Sequence, residues 1–460
     1  MSKMFTIKAS EAHGRRLDPL FHSPTFRMNR LCIESHRYLA MKGLCELSNE
    51  TWDKAQCFQD CFPYVEIGAI NCENGEIGGI EELVTAEAPS RAQMVVRAGD
   101  LLVSATRPTR NAIAIVPLDV EKAIASTGFL VVRGVQSTLV TPKYLFHVLR
   151  MEFCTKQFDQ YSSGGNYPAI TKDDFRKIII PLPPLPEQRK IVAELDAAYA
   201  AKRAADEKAT KLLSSIDEMV LKELGIAKLP KPDTSLSSRI FTVPAREVHN
   251  GRLDAYYYKG NFKELNKKLS CCNCVPFGRL ITEIYNGIDC RDYKESGVPY
   301  LKVANVKPGE FDFDDLKYID SQEVGAKDIA LRAGRMLLTR KGTFGNAIAL
   351  SEDYDYAISS EVFCLSIKNE LVDVHYLETF VNSSIGRMLC DKYKIGAIMG
   401  SLSQEAVKAL PIPLPDAKVQ YRIASRASSI RAEARKLKAD ATAALDAAKR
   451  GIEMEIVRER

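Results

Sequence analysis

The feature that most restricts how this chain can fold is that it carries one pattern of residues twice. With residue n set beside residue n+236, Arg16-Leu17-Asp18 falls on Arg252-Leu253-Asp254, Phe26 on Phe262, and Pro63-Tyr64-Val65 on Pro299-Tyr300-Leu301. At an offset of 235, Gly99-Asp100-Leu101-Leu102 meets Gly334-Arg335-Met336-Leu337, and Asn111-Ala112-Ile113-Ala114-Ile115 meets Asn346-Ala347-Ile348-Ala349-Leu350. At 234, Ala123-Ile124 meets Ala357-Ile358 and Phe129 meets Phe363. At 232, Tyr144-Leu145 meets Tyr376-Leu377, Ile180-Pro181-Leu182-Pro183 meets Ile412-Pro413-Leu414-Pro415, and Gln188 meets Gln420. The offset drifts slowly in one direction, whereas chance matches would scatter. A period this long is no solenoid, so each copy must be a domain with its own core. The copies lie near 1–230 and 240–460, and Leu229-Pro230-Lys231-Pro232-Asp233-Thr234-Ser235 reads as the linker because prolines and serines punctuate it.

Each copy reads as mixed helix and strand. Leu101-Leu102-Val103, Ala112 to Val116 and Phe129 to Val132 are apolar runs of strand length, repeated at Met336-Leu337-Leu338, Ala347 to Leu350 and Val362 to Leu365. Thr141-Pro142 opens a helix, with Thr as N-cap and Pro at the first position, and Leu145, Val148, Leu149 and Phe153 follow at helical spacing. Proline-rich stops come at Pro181 to Pro186 and Pro411 to Pro415. From Glu187 to about Leu224 no Pro or Gly interrupts, a helix of about 57 Å. Ile191, Ala198, Ala205, Leu212 and Met219 recur every seven residues, with Leu195, Ala209 and Ile216 between them. The second copy offers Ile423, Ile430, Leu437 and Ala444, beside Ala427, Ala434, Ala441 and Ala448. These are coiled-coil seams, and the simplest partner of each helix is the other, antiparallel. The expected fold class is therefore α+β: domains at 1–183 and 230–414, each followed by a spacer helix, at 184–229 and 415–460.

The absent motifs exclude much chemistry. There is no phosphate loop, no H-E-x-x-H, no G-x-S-x-G elbow and no glycine-rich nucleotide fingerprint. Six histidines are scattered, and Cys57 and Cys61 have no matching second ligand pair, so no metal is expected. No catalytic residue is identified. The start of the chain has no apolar leader and no stretch is long enough to span a membrane, so reduced thiols and a cytoplasmic location are expected, with no membrane partner. A net charge of +5 permits a polyanionic partner without requiring one.

What remains is a matched pair of polar loops between strands. The first carries Arg107, Thr109, Arg110 and Asn111, and the second Arg340, Lys341, Thr343 and Asn346. Arg reads guanine edges, Asn reads adenine edges, and Lys and Thr contact phosphates. A glycine loop with Asn166 and Tyr167 adds to the first set, and 396–400 repeats it. Two readers on a spacer suit a bipartite DNA site. The residues alone leave open a self-contained enzyme with an unrecognised site and a coiled-coil scaffold that binds only proteins.

The stretch Ile180-Pro181-Leu182-Pro183-Pro184-Leu185-Pro186-Glu187-Gln188-Arg189-Lys190-Ile191-Val192 resembles the lead-in to the conserved region of specificity subunits of type I restriction–modification enzymes. So do the blocks Gly99 to Leu102 and Thr339 to Ile348, and the likeness covers essentially the whole chain. It implies two target-recognition domains reading the halves of a split, asymmetric sequence in double-stranded DNA. It implies an antiparallel coiled coil that spaces them, and docking of two methyltransferase and two restriction/translocase subunits. The chain itself would hold no cofactor, with S-adenosylmethionine, ATP and Mg in the partners. Glu187, Gln188, Arg189, Ile191, Leu195, Gln420, Ile423, Ile430 and Leu437 would form the docking and coiled-coil surface. The second copy departs from the pattern at Pro415 to Arg422, where Pro186 and Glu187 have no match. A specificity module of another phage-defence DNA methylation system would share the same features.

Overall fold

The computed structural model describes residues 16, 18–54, 58, 60–228, 233, 235, 238, 240–245, 248, 253–325, 330–396 and 400–457. Leu17 and Arg252 of the repeat, Cys57, the linker 229–235 apart from Asp233 and Ser235, and Ala397–Met399 lie outside the described residues. The chain divides into two compact units. Unit 1 comprises Met1–Ala205 with Lys438–Arg460, and unit 2 comprises Asp206–Leu437.

Unit 1 runs through α1 (Pro24–Glu34), β1 (Tyr38–Ala40), β2 (Glu46–Ser48), β3 (Cys61–Val65), β4 (Glu81–Val84), β5 (Ala92–Val96), β6 (Leu101–Ser104), β7 (Ile113–Ile115), β8 (Ala123–Ser126) and β9 (Phe129–Arg133). It continues through α2 (Pro142–Leu149), α3 (Glu152–Tyr161), α4 (Lys172–Phe175) and β10 (Ile179–Pro181) into the long helix α5 (Leu185–Glu223). One sheet has the order β2-β9-β6-β7 and is antiparallel throughout; the other is β4-β3-β8-β5, with β3 and β8 parallel. The central strand β6 is buried at every residue, which is why it reads as an unbroken apolar run. Thr141 accepts a bond from the Tyr144 amide at 3.2 Å, so the expected N-cap forms. The helix stops at Leu149 and a new one begins at Glu152, so Phe153 belongs to α3 and not to the first helix as its spacing suggested.

Unit 2 repeats this plan with α6 (Gly260–Leu269), β11 (Cys274–Pro276), β12 (Ile281–Asn286), β13 (Val298–Leu301), β14 (Val306–Lys307), β15 (Glu310–Phe311), β16 (Lys317–Ile319), β17 (Ala330–Leu331) and β18 (Arg335–Thr339). Then come β19 (Ala347–Ala349), β20 (Tyr354–Asp355), β21 (Ala357–Ile358), β22 (Val362–Ile367), α7 (Val374–Asn382), α8 (Ser384–Tyr393), α9 (Gln404–Ala409), β23 (Pro411–Pro413) and α10 (Ala417–Val457). The order β12-β22-β18-β19 matches β2-β9-β6-β7, and the parallel pair β13–β21 matches β3–β8. In each unit a short antiparallel pair, β1–β10 or β11–β23, carries the chain to its long helix.

That junction is bolted by two buried side chains in each copy. The Tyr144 hydroxyl donates to the Pro181 carbonyl at 3.0 Å and the Tyr376 hydroxyl to Pro413 at 2.7 Å. Gln188, fully buried, accepts from the Thr141 amide at 3.1 Å and donates to the Leu139 and Pro183 carbonyls at 2.8 and 2.9 Å. Gln420 accepts from the Asp373 amide at 2.9 Å and donates to Pro415 at 2.8 Å. A buried amide that satisfies the backbone at a proline stop is held in place, because removing it strands several buried polar groups.

Each unit also contains a part of both long helices. In unit 1, Ile191 and Leu195 of α5 share one apolar cluster with Ile452 and Ile456 of α10, and Lys190 reaches Glu455 at 3.6 Å. In unit 2, Met219 and Val220 share a cluster with Ile423, Ala424 and Ala427, and Arg422 pairs with Glu223 at 2.7 Å. The expected seam changes along α10. Ala427 and Ala434 are buried, but Ala444 is exposed and Leu445 takes its place, followed by Ile452 and Ile456. The step from Ala441 to Leu445 is four residues where a heptad seam takes three. In a coiled coil such an insertion would locally unwind the supercoil.

Candidate nucleic-acid interface

The two polar loops occupy equivalent places in the two units and hang from equivalent hydrogen bonds. Between β6 and β7, the Ala105 amide donates to Gly128 at 2.8 Å, and Ala105 accepts from Ile170 at 2.9 Å. Between β18 and β19, the Arg340 amide donates to Glu361 at 2.9 Å, and Arg340 accepts from Leu402 at 2.8 Å. Isolated bridges then tie Thr106 and Ser163 to Ala169, and Lys341 and Ile395 to Ser401. Each polar loop is therefore laced to the glycine loop that follows α3 or α8. At the turn of those glycine loops, Gly164 and Gly396 both adopt positive φ, 106° and 97°.

In unit 1 this brings three of the sequence candidates together. Arg107 sits in the left-handed region at φ 50° and ψ 53°, where the matching residue of unit 2 is Gly342 at φ 70°. An arginine there costs about 1–2 kcal/mol of backbone strain. Its amide is held by the Pro168 carbonyl at 2.6 Å, its guanidinium donates to the Asn166 carbonyl at 2.9 Å, and its Cζ lies 4.3 Å from the centroid of the Tyr167 ring. Tyr167 is 70% exposed, so the pair forms an ordered, outward-facing platform of cation and ring. Thr109 and Arg110 are exposed on the turn Pro108–Arg110 beside it.

In unit 2, Lys341 and Thr343 are exposed. Arg340 is half-buried, with its Cζ 5.2 Å from the Phe363 ring centroid and its Nε buried without a partner. Loop 287–294 joins the same surface: the Ser360 amide donates to Ile288, and Asn286 donates to the Ser360 carbonyl that also faces Arg340.

Two asparagines expected to read bases have their side chains turned into the protein. Asn346 is 4% exposed; its Nδ2 donates to Val306 at 2.7 Å, and its Oδ1 accepts from Arg387. Asn111 is a turn former at φ 61°, donating to the Arg150 carbonyl at 3.2 Å with its Oδ1 buried. Both shape the roots of the loops. The arginines that brace these roots, Arg150 and Arg387, were not singled out from the sequence. Arg150 donates to Asn111, Ile113, Cys72 and Glu73, and Arg387 donates to Phe344 and Asn346. Nothing in their spacing separates them from ordinary helix surface arginines.

The proposed docking set divides in the same way. Glu187 and Arg189 are exposed at the start of α5. Gln188 and Gln420 are internal bolts, and Ile191, Leu195 and Ile423 are buried within their own unit, so none of the five offers a surface to another chain. Ile430 and Leu437 are half-buried on α10. Among the described residues no group of three or more His, Cys, Asp or Glu could hold a metal ion, and no helix is long and apolar enough to cross a membrane.

One polar cluster of unit 1 gives a pH dependence. His147 on α2 is 2.9 Å from the Asp196 carboxylate on α5, which also binds Lys143 at 2.6 Å. Burial pushes the His147 imidazole below its ordinary value of 6.5, against the opposing pull of Asp196. Burial would raise the Asp196 carboxyl, but the bonds from Lys143 and His147 outweigh it and hold the group below its usual range. With the folded imidazole depressed, the unfolded chain takes up the proton first. This stability is present above 6.5 and is lost as pH falls below it; the Asp196 contribution is lost lower still, through the carboxylate range. The protection factors of the α2 amides, that is, the intrinsic exchange rate at each pH divided by the observed one, are expected to fall between pH 7.5 and 5.5, with the change flattened in His147→Gln. An equal pH dependence in both proteins would show that His147 does not carry it.

Comparison with known proteins gives a consistent result. The family model described as "Type I restriction modification DNA specificity domain" matches residues 38–211 and 287–444, once in each copy of the repeat. The chain is similar to the type I restriction enzyme EcoKI specificity subunit of Escherichia coli (strain K12), at 24% identity over 307 residues, 64% of this chain and 59% of that protein. It is also similar to the MjaVIII specificity subunit of Methanocaldococcus jannaschii, at 23% over 305 residues, 62% of this chain and 63% of that protein. The chain thus spans about three fifths of the length of these relatives. A solved HsdS subunit from Thermoanaerobacter tengcongensis aligns with a TM-score of 0.37 at 23% identity, covering 92% of this chain and 95% of that one. A chain from a structure of a type I R-M system aligns at 0.48 and 22%, covering 92% and 96%.

Proposed function

The chain belongs to the type I restriction modification DNA specificity family, and from that premise we propose that it is the non-catalytic subunit that reads DNA sequence for a type I restriction–modification complex. The observation that carries this is the pair of polar loops at equivalent positions in two repeated units, one of them presenting the strained Arg107 stacked on exposed Tyr167. Each unit reads one half of a split, asymmetric site in double-stranded DNA. Arg107, Thr109, Arg110, Asn166 and Tyr167 face the first half, and Arg340, Lys341 and Thr343 the second.

In this reading α5 and α10 run antiparallel as a coiled coil that spaces the two halves. The contacts of Lys190 with Glu455 in unit 1 and of Glu223 with Arg422 in unit 2 support it, since each joins the start of one helix to the end of the other. Two methyltransferase subunits dock along these helices, with Glu187 and Arg189 at one lead-in. Two restriction subunits join them. S-adenosylmethionine, ATP and Mg belong to those partners, and the assembly works in the cytoplasm.

The test is methylation-site mapping of DNA treated with the assembled complex. A single motif of two defined halves around an undefined gap is expected. Arg340→Ala is expected to relax the motif in one half only, weakening binding to that half-site by about 1–3 kcal/mol. Methylation without sequence preference, or relaxation of both halves together, would overturn the assignment.

A further inference from the structure

We infer that Arg291, on the loop that follows β12, is a guanine-reading side chain of unit 2, so that the two units read their half-sites with arginines on non-equivalent loops. The inference rests on the function proposed above and adds to it a residue that the internal repeat does not supply.

In unit 1 the exposed platform is made by Arg107 and Tyr167. At the repeat offsets these fall on Gly342 and Met399, so unit 2 has neither the guanidinium nor the ring at those positions. Its polar loop keeps Lys341 and Thr343 exposed, residue types that suit phosphate oxygens, while Arg340 is half-buried near Phe363. A different loop of unit 2 reaches the same surface.

Strand β12 ends at Asn286, and Gly287 passes so close to β21 that a Cβ there would lie 1.9 Å from the Ile358 carbonyl oxygen. The Ile288 amide donates to that carbonyl at 2.9 Å, and the Ser360 amide donates to Ile288 at 2.8 Å. The Ser360 carbonyl accepts from Asn286 at 3.2 Å and from Arg340 at 3.5 Å, which sets this loop beside the root of the polar loop. Two more anchors follow. The Tyr300 hydroxyl donates to the Ile288 carbonyl at 2.8 Å and accepts from the amide of buried Cys290 at 3.4 Å, and the Lys294 amide donates to Tyr318 at 2.8 Å. With 288, 290 and 294 held, Asp289, Arg291, Asp292 and Tyr293 stand exposed between them. A side chain carried on a loop pinned at three points has less freedom to lose on contact. Unit 1 takes another course here. Thr51 and Trp52 stand where unit 2 has Gly287 and Ile288, the Trp52 indole is buried and donates to Ala92 at 2.7 Å, and residues 51–60 contain no arginine.

The neighbours of Arg291 decide between a base and a phosphate. Its guanidinium lies 3.8 Å from the Asp289 carboxylate, with the two side chains 89% and 68% exposed. An ion pair that open to water adds little to stability, so the fold itself does not account for the arginine. Asp292 follows it directly and pairs with Lys294 at 2.6 Å. Residues 289–294 thus carry two carboxylates and two cations, a balanced set with no net attraction for a polyanionic backbone. The O6 and N7 acceptors of guanine are neutral and meet no such repulsion from the carboxylates, and the planar fork of arginine matches them in pairs.

The experiment maps methylation sites and measures binding of cognate and scrambled duplexes across a salt series. It uses the assembled complex of wild type, Arg291→Ala, Arg340→Ala and, as a charge-matched control, Arg279→Ala. Arg279 is exposed just before β12, at the opposite end of that strand from the loop. Arg291→Ala is expected to lose roughly five- to 150-fold in affinity for the cognate duplex, with little change on scrambled DNA. Its methylated motif should relax at a guanine in the same half that Arg340→Ala relaxes, with the other half intact. Arg279→Ala should keep the wild-type motif and affinity. An Arg291→Ala complex with an unchanged motif would overturn the inference and leave the proposed function standing. So would relaxation of the opposite half. An equal loss on both duplexes, with the slope of log affinity against log salt lowered by about 0.9, would mark a phosphate contact and overturn it too. A wild type that shows no split motif would overturn the proposed function itself, and this contact with it.

Discussion

Replacing Arg107 by glycine is expected to abolish most of the discrimination at the half-site proposed for unit 1 while leaving the protein as stable as before. The two effects separate because Arg107 holds a backbone conformation that its own residue type disfavours. Glycine removes about 1–2 kcal/mol of left-handed strain. It also gives up the exposed stack on Tyr167 and the bond to the Asn166 carbonyl, together about 1–2 kcal/mol. The terms offset, so unfolding should shift by less than about 1 kcal/mol. Arg107→Ala loses the contacts but keeps the strain, and should be destabilised by about 1–2 kcal/mol. In binding the two variants should match, each losing about 1–3 kcal/mol on the cognate half-site, or roughly five- to 150-fold, with little change on scrambled DNA. Denaturant unfolding of the purified chain and binding by the assembled complex measure the two axes independently. An Arg107→Gly protein that reads its site normally would show that the strained arginine is a feature of the turn alone.

A second large effect is expected from lengthening both long helices together. Ala205 and Leu437 are the last residues before the chain passes from one unit to the other. Seven residues inserted after each, with apolar residues at the two seam positions, would preserve a heptad register and lengthen each helix by about 10 Å. DNA rises roughly 3.4 Å per base pair, so the complex should recognise the same two half-sequences with about three more base pairs between them. Bending of the duplex would reduce that number. A single insertion, in α5 only, should break the pairing and abolish activity. Methylation mapping reads the gap directly. An active double-insertion protein with an unchanged gap would remove the ruler from the proposed function and leave the two readers standing.

Much of this organisation is legible in the residues, and what is not has identifiable physical causes. The repeat offsets align the sheets β2-β9-β6-β7 and β12-β22-β18-β19 strand for strand because buried central strands such as β6 and β18 are fixed by hydrophobicity, which sequence records directly. The N-cap at Thr141 follows from local chemistry alone. The break between α2 and α3 at Arg150–Met151 does not, since apolar spacing runs on through it and the distant carbonyls that Arg150 binds there are invisible to local spacing. Asn346 and Gln188 show the same limit at the site. A polar side chain looks identical in sequence whether it faces solvent or satisfies buried carbonyls, and only the contacts of Val306, Arg387 and Leu139 distinguish them. Arg107 was found for its charge. That its backbone is strained emerges only from its lacing to residues 166–168.

The makeup of the two units has a consequence for how the molecule is born. Unit 2 is one continuous stretch of over 200 residues, whereas unit 1 needs Ile452 and Ile456 from the far end of the chain to complete its core. Translation at about 5–20 residues per second means that most of unit 1 leaves the ribosome some tens of seconds before those two side chains exist. The half made first is thus the half finished last. During that interval the faces of Ile191 and Leu195 await their partners, and a nascent chain that has emerged from the ribosome as far as about residue 437 should hold a closed second unit and an open first one.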